Sequence, residues 1–329
     1  MAAGNPRSDT RQRPELGHDQ HTVSVFAPVL YLTVTVESGG NGVDEVHIHP
    51  GGQGFWVARM LKHLGERPLL SGPVGGEAGQ VFLGLFRQWG IDMSPIRIAA
   101  GTPVILQDRR SGEREIIAAT PQPSLERHEL DDSYGRFLER ALTSGVSVIT
   151  GQSEQLIPLQ TYRRLGHDLA AAGIAVVADL HGPELWEFLE GGPIRILKVS
   201  HEDLERDGLL QESAGDEESL DVIDDLVAAG AESVVLSRQS RSALARFGTT
   251  RYVATPPELA EADFRGAGDS MTAGLAASVR RGLDPVDTLK LACAAGAANV
   301  TRHGLGSADE DLIPRLIERV EVRGRTMSR

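Results

Sequence analysis

Arg265-Gly266-Ala267-Gly268-Asp269-Ser270 runs directly into a helical pattern that starts near Met271. A glycine-rich turn feeding a helix leaves several backbone N–H groups without intrahelical partners, with the positive end of the helix dipole behind them. The stretch therefore reads as an anion hole. Asp269 falls in the first helical turn. There it can take a proton from an attacking hydroxyl while the backbone of Gly266, Ala267 and Gly268 holds the charge developing on a transferred phosphoryl group. A plainer reading also fits, in which the glycines make a tight turn and Asp269 complements the dipole for about 0.3–1 kcal/mol. These six residues alone leave both open.

Around this stretch the chain reads as an α/β fold. Downstream, Met271, Leu275 and Val279 recur at i, i+4 spacing, and Leu289, Cys293, Gly296 and Val300 continue a buried stripe. Upstream, residues 146–150, 174–179, 194–199 and 233–236 are apolar enough for strands covered on both faces, the signature of a parallel sheet. Helical patterns at 156–172 and 220–229 have the length of right-handed crossovers. Two regions, about 36–50 and 93–119, break this rhythm with short hairpin-like runs and predict a small β lid. The expectation is a three-layer fold with a mainly parallel central sheet and helices on both faces.

Composition excludes several classes. Of 329 residues, 33 are Lys or Arg and 46 are Asp or Glu, a net charge of −13 that repels nucleic acid and anionic membranes. Any phosphate ligand must be held by a local device. The longest apolar run, 291–300, is far short of the ~20 residues a membrane span needs. Cys293, the only cysteine, can form no internal disulfide, which agrees with a reducing, cytoplasmic setting. Residues 1–22, rich in Arg, Asp, Gln and Pro, read as a disordered leader without the apolar segment of a secretory signal.

A second glycine turn, Pro50-Gly51-Gly52-Gln53-Gly54-Phe55-Trp56-Val57-Ala58-Arg59-Met60-Leu61, opens an amphipathic helix. Glycines there let a ligand approach the backbone, although a bare helix entry would look the same. Gly72 to Gly79 reads as a strand-to-helix loop before a helix at 80–89. No P-loop, dinucleotide-binding glycine motif or nucleophile elbow is present in the sequence. His47 and His49 share one face of a presumed strand and read as polar lid residues, because no third ligand stands at a suitable spacing.

In this order the segments resemble the PfkB carbohydrate kinase family, also called ribokinase-like, over about residues 29–306. Gly51-Gly52-Gln53-Gly54 with the helix after it resembles the family's first signature, which touches the sugar and is spelled nearest the 1-phosphofructokinase and tagatose-6-phosphate kinase branch. Gly266 to Ser270 resembles the second signature, whose Asp is the catalytic base; the resemblance gives that role to Asp269. Residues 294–299 with Gly304 and Gly306 resemble the helix and loop flanking adenine, which brings Asn299 to the nucleotide. Residues 198–204 resemble the segment Lys-Pro-Asn-x-x-Glu-Leu, which orders Mg²⁺ through water; Lys198 would meet the phosphates, and Ser200 and Asp203 replace its Asn and Glu. Ser237 and Gln239 lie where the family has glycines near the adenosine, and Arg265 stands before the second signature, where it could meet the ATP phosphates.

The departures concentrate on the acceptor side. Gln53 stands where the sugar-phosphate branch has Lys, and Trp56 where a sugar-binding Asn is usual. The family's Asn-Pro-x-x-Asp after the first strand is sought here in Glu37-Ser38-Gly39-Gly40-Asn41, making Asn41 the residue that grips sugar hydroxyls. The resemblance thus implies a kinase domain at 23–322 with a short disordered tail at 323–329, using ATP and Mg²⁺ to phosphorylate a sugar or sugar-like acceptor. It also implies a homodimer through the lid. The lost polar groups support a second reading, a non-catalytic nucleotide- or sugar-binding protein that senses its ligand.

Overall fold

The computed structural model describes residues 21–40, 42–151, 156–257, 259, 265–300, 306, 308–309 and 311–326. Strand β1 (Thr22–Phe26) is buried along its whole length. It is followed by β2 (Tyr31–Ser38), β3 (Asp44–Gly51), α1 (Gln53–His63), β4 (Arg67–Val74), α2 (Gly76–Phe86) and β5 (Asp92–Arg97). Strands β6 (Val104–Asp108) and β7 (Glu115–Ala119) come next. A regular alternation then runs through α3 (Arg127–Ser144), β8 (Val146–Thr150), α4 (Gln160–Ala171), β9 (Ala175–Asp179), α5 (Gly182–Gly191) and β10 (Ile196–Ser200). It continues through α6 (His201–Arg206), α7 (Asp216–Ala228) and β11 (Ser233–Ser237). The described chain closes with β12 (Ala243–Phe247), β13 (Thr250–Thr255), α8 (Ala267–Arg281), α9 (Pro285–Val300), α10 (Leu312–Ile317) and β14 (Glu321–Thr326).

Ten of these strands make one sheet in the order β14-β13-β12-β11-β10-β9-β8-β1-β4-β5. Pairing is parallel from β11 to β5 and antiparallel from β11 to β14. Alternate residues of the central strands enter opposite cores, as the strand period of two requires. Val148, Val177 and Val235 join Phe55, Phe82, Leu275 and Leu289 on one face. Ile149, Ala178 and Val234 join Phe137, Tyr162, Phe188 and Ile223 on the other. This is the three-layer α/β architecture expected from the apolar runs.

The remaining four strands form a second, smaller sheet in the order β3-β2-β6-β7, in the region where the sequence predicts a lid. Its limits differ from the sequence reading at both ends. The first lid strand begins at Tyr31, before residue 36. Met93 lies in β5, which pairs in parallel with β4 at the edge of the main sheet, so the lid's second segment starts at Val104. Strand β4 also runs on to Val74 and α2 starts at Gly76, which leaves little of the expected loop. Thr22 opens β1 instead of closing a leader, and residues 1–20 lie outside the described residues. Arg323 to Thr326 are likewise strand, paired antiparallel with β13, instead of tail. Backbone hydrogen bonding to a ready sheet edge overrides their polar composition there.

Candidate active site

The site lies off the carboxyl ends of β1, β9, β10 and β11, where parallel α/β sheets usually place ligands. Helix α8 enters it from Gly266, whose φ of 75° is left-handed, so an L side chain there would be strained. The chain turns tightly, the Ser270 N–H donates to the Gly266 carbonyl at 2.9 Å, and the N–H groups of the first turn face away from the helix body. At Gly268 an added Cβ would come 2.9 Å from Lys198 Nζ, so the absence of a side chain lets the ammonium close on the turn from behind.

Lys198 is buried on β10 and ion-paired at 3.2 Å with Asp179, the last residue of β9. Thr272 on α8 donates to the same carboxylate at 2.7 Å, tying helix to sheet. Burial alone would lower the Lys198 pKa, but the carboxylates of Asp179, Asp203 and Asp269 outweigh it and raise it. The Asp269 carboxyl is shifted upward as well. Burial first, and the negative charges of Asp179 and Asp203 next, push its pKa up to about 7, with Lys198 only partly opposing them. A carboxylate poised there is suited to accept a proton near neutral pH.

A cavity of about 750 Å³ opens on this cluster, lined by Lys198, Ser200, Ser237, Gln239 and the Arg265–Asp269 turn on one side and by Met271, Gly296, Ala297 and Val300 on the other. Gln239 holds a positive φ of 50°, an outlier for a non-glycine residue, and its amide donates to Glu202. Ser200 and Asp203 are joined as a capping box at the start of α6, with the Ser200 hydroxyl donating to Asp203 at 2.6 Å. Burial opposes ionisation of Asp203, yet Ser200 and Lys198 carry its pKa below the ordinary value. Asn299 is buried behind the turn: its amide donates to the Arg265 carbonyl and its oxygen accepts from Gly306 N–H, both at 2.7 Å. It therefore positions the turn, and the residues lining the cavity do not include it.

Oxygen donors concentrated around a lysine suit a hard cation carried with phosphates and water. The mutual repulsion that raises the Asp269 pKa is the charge excess that a divalent ion would relieve. Ser200 lines the cavity and is bonded to Asp203, so this pair would hold one through water, and among the described residues no group of three or more ligating side chains exists.

On the other side of Arg265, which borders both spaces, a second cavity of about 360 Å³ lies beneath the lid. Gly51 ends β3 and Gly52, with φ 121°, enters α1. Gln53 opens the helix and lines neither cavity. Trp56 does line this second space. Asn41 lies outside the described residues, and the register after the first strand identifies a different residue at the site. Ala27-Pro28-Val29-Leu30-Tyr31 follows β1 directly and has its proline at the second motif position, so Tyr31 stands where the family's Asp is expected. The ring of Tyr31 covers Gly51, where an added Cβ would meet it at 2.2 Å. Burial and Asp269 raise the Tyr31 pKa, and the neighbouring Trp56 indole and Gly52 backbone N–H oppose that shift.

Tyr31 and Asp179 are thus site residues that the sequence reading missed. The proline spacing after β1 was the available signal for Tyr31, and an acid at the carboxyl end of an apolar strand was the signal for Asp179.

Comparison with known proteins gives the family and the fold. The pfkB family carbohydrate kinase model matches residues 22–312, so the chain belongs to that family, and its class is a sugar kinase. Among relatives, the 1-phosphofructokinase of Bacillus subtilis is 28% identical over 280 residues, covering 83% of this chain and 88% of the relative. The ATP-dependent 6-phosphofructokinase isozyme 2 of Mycobacterium tuberculosis is 27% identical over 275 residues, 82% of this chain and 79% of the relative. In fold, the phosphofructokinase-2 of Escherichia coli, solved with potassium, superposes with a TM-score of 0.81 at 22% identity, covering 91% of this chain and 98% of that one. No helix among the described residues is long and apolar enough to cross a membrane.

Proposed function

We propose that this sugar kinase transfers the γ-phosphoryl group of ATP to a hydroxyl of a sugar-like acceptor, with Asp269 as the general base. The observation that carries the reading is the Asp269 carboxyl, pushed up to about 7 one turn from a left-handed glycine and beside a buried lysine. ATP fits the larger cavity with its terminal phosphate at the Gly266–Gly268 turn. The acceptor fits the space beneath the lid, and the two meet at Arg265.

The acceptor oxygen forms a bond to γ-phosphorus, the bond from that phosphorus to the bridging oxygen breaks, and ADP leaves with the electron pair. Asp269 takes the acceptor proton. The backbone N–H groups of the turn and the Lys198 ammonium stabilise charge on the transferred group. Ser200, which lines the cavity, and Asp203 bonded to it would hold Mg²⁺ through water, and the ion would neutralise phosphate charge. The lid excludes water from the junction so that the acceptor, and not solvent, is the nucleophile.

A second copy of the chain is the proposed partner of the lid. Val34 pairs with Ile48 and Leu106, and Val36 pairs with Val46, so these apolar side chains share the face turned away from the cavity. Val46 is 61% and Ile48 44% exposed on that face.

The test is ADP release from MgATP by wild type and Asp269→Asn across neutral and phosphorylated sugars, with nucleotide binding followed by calorimetry. Acceptor-dependent release that is lost in the variant supports the assignment. Nucleotide binding without release from any acceptor overturns it and favours a sensing role.

A further inference from the structure

Beyond the end of β9 stands a histidine that the phosphotransfer site leaves unused. His181 precedes the first residue of α5, and its ring reaches across to α6. Nδ1 lies 3.2 Å from one oxygen of Asp207, the residue that closes α6, and the other Asp207 oxygen accepts the Gly182 N–H at 2.6 Å. A carboxylate accepts and does not donate, so the ring proton sits on Nδ1. Nε2 then faces Arg206 Nη1 at 3.3 Å, and a guanidinium donates and does not accept. The same Nη1 donates to Asp203 Oδ1 at 3.2 Å, and Nε2 itself lies 3.8 Å from the Asp203 carboxylate. The second Asp203 oxygen accepts from the Ser200 hydroxyl at 2.6 Å. Asp207, His181, Arg206, Asp203 and Ser200 thus form one chain of contacts, and of these Ser200 alone lines the larger cavity.

Helix α6 has only six residues, too few to hold its shape unaided. Its place in the fold depends on tethers, and Asp207 supplies one at the end away from the cavity. Arg206 is 62% exposed, and a long side chain in water samples many rotamers. The imidazole behind it narrows where its fork can point. A carboxylate is rigid and planar, so a partner that fixes Oδ1 of Asp203 also fixes the direction in which Oδ2 addresses Ser200.

We propose that His181 is a positioning residue with a separate task for each ring nitrogen. Nδ1 holds α6 to α5 through Asp207, and Nε2 steadies Arg206 against Asp203, which keeps the Ser200–Asp203 pair set toward the cavity. This rests on the proposed role of that pair in holding Mg²⁺ through water, and it adds a residue that lines neither cavity.

Binding of Mn²⁺ to the ADP complex of the full chain, read by electron paramagnetic resonance against ADP alone, tests the pair apart from turnover. His181→Ala removes both contacts and should weaken Mn²⁺ binding about tenfold while lowering Tm, with ADP binding in the absence of metal unchanged. In His181→Asn the amide nitrogen takes the place of Nδ1 and can donate to Asp207, with nothing at the place of Nε2. This variant should recover most of the Tm and little of the Mn²⁺ affinity. Asp203→Asn is the reference and should weaken Mn²⁺ binding at least as much as His181→Ala. The proposal is overturned if the wild-type ADP complex binds no Mn²⁺, if His181→Ala binds it as wild type does, or if affinity returns together with Tm in His181→Asn, since the histidine would then be a strut alone. Affinity lost in Asp203→Asn and kept in His181→Ala would defeat this inference and leave the metal assignment standing. Affinity kept in Asp203→Asn would defeat the assignment and this inference with it. Should all variants behave as expected while no acceptor releases ADP, the positioning role stands and the catalytic reading fails.

Discussion

Lys198 and Asp179 face each other at 3.2 Å, each side chain only 6% exposed, directly behind the glycine turn that opens α8. A buried pair of this kind is costly to break, because removing one partner leaves the other uncompensated. Here its position gives it a second consequence. Asp179 is also the largest charge raising the Asp269 pKa, after burial itself.

Asp179→Asn is therefore expected to move the acid limb of the kcat/KM profile below its wild-type position near pH 7 and to reduce stability by roughly 3–5 kcal/mol. A pH-rate profile beside urea denaturation checks this. Lower stability with an unmoved acid limb would show that Asp179 acts only as a strut.

Asp269→Asn should lower turnover on the order of 10²-fold or more, while raising stability at alkaline pH. The Asp269 pKa rises from 3.8 to about 7 on folding. Between those values the native state holds a proton that the unfolded state has released, so native stability falls as pH rises through the window. Above pH 7 the cost is fully present, a few kcal/mol at most given the partial accessibility of the residue. The asparagine variant carries no such cost. Its Tm should exceed that of wild type at pH 8, with the gap closing toward pH 4; an equal gap at both pH values would refute the raised carboxyl.

Asn299 joins the Arg265 carbonyl to the Gly306 N–H from a position only 1% exposed. Asn299→Ala removes both bonds and should cost about 1–3 kcal/mol for each, with a fall in kcat as the turn loosens. Asn299→Asp can still accept from Gly306 but cannot donate to Arg265, so it should recover only part of the loss. Thermal melts and steady-state kinetics on the pair separate the two bonds.

The parts of the fold that were legible in the sequence share one physical property. Val146–Thr150 and the strands at β9, β10 and β11 are continuous apolar runs because both faces are covered, and such runs declare themselves without knowledge of their partners. Asp269 and its glycines were legible because a turn into a helix is a local event. Tyr31 was missed although the proline spacing offered it, because what makes it a site residue is its contact with Gly51 across the β2–β3 pairing and its nearness to Trp56 on α1. Arg109 and Arg114 likewise reach one cavity only because β6 pairs with β2 and β7 with β6. The polar strand β14 was hidden for a related reason, since its order comes from the edge of β13 and not from its own composition.

The lid gives the last prediction. Its outer face presents Val34, Val36, Val46, Ile48 and Leu106 as neighbours on paired strands, while the opposite face carries Thr33, Thr35, His47 and His49 toward the cavity. A patch of this kind matches what a stable dimer covers only if much of the sheet takes part, since specific interfaces bury about 800 Å² on each partner. Val46→Lys with Ile48→Lys places two charges at the centre of such a contact, on strand β3 where outward residues tolerate them in a monomer. Wild type should sediment as a dimer and the double variant as a monomer with an unchanged circular dichroism spectrum. A monomeric wild type at micromolar concentration would exclude the lid as a subunit interface.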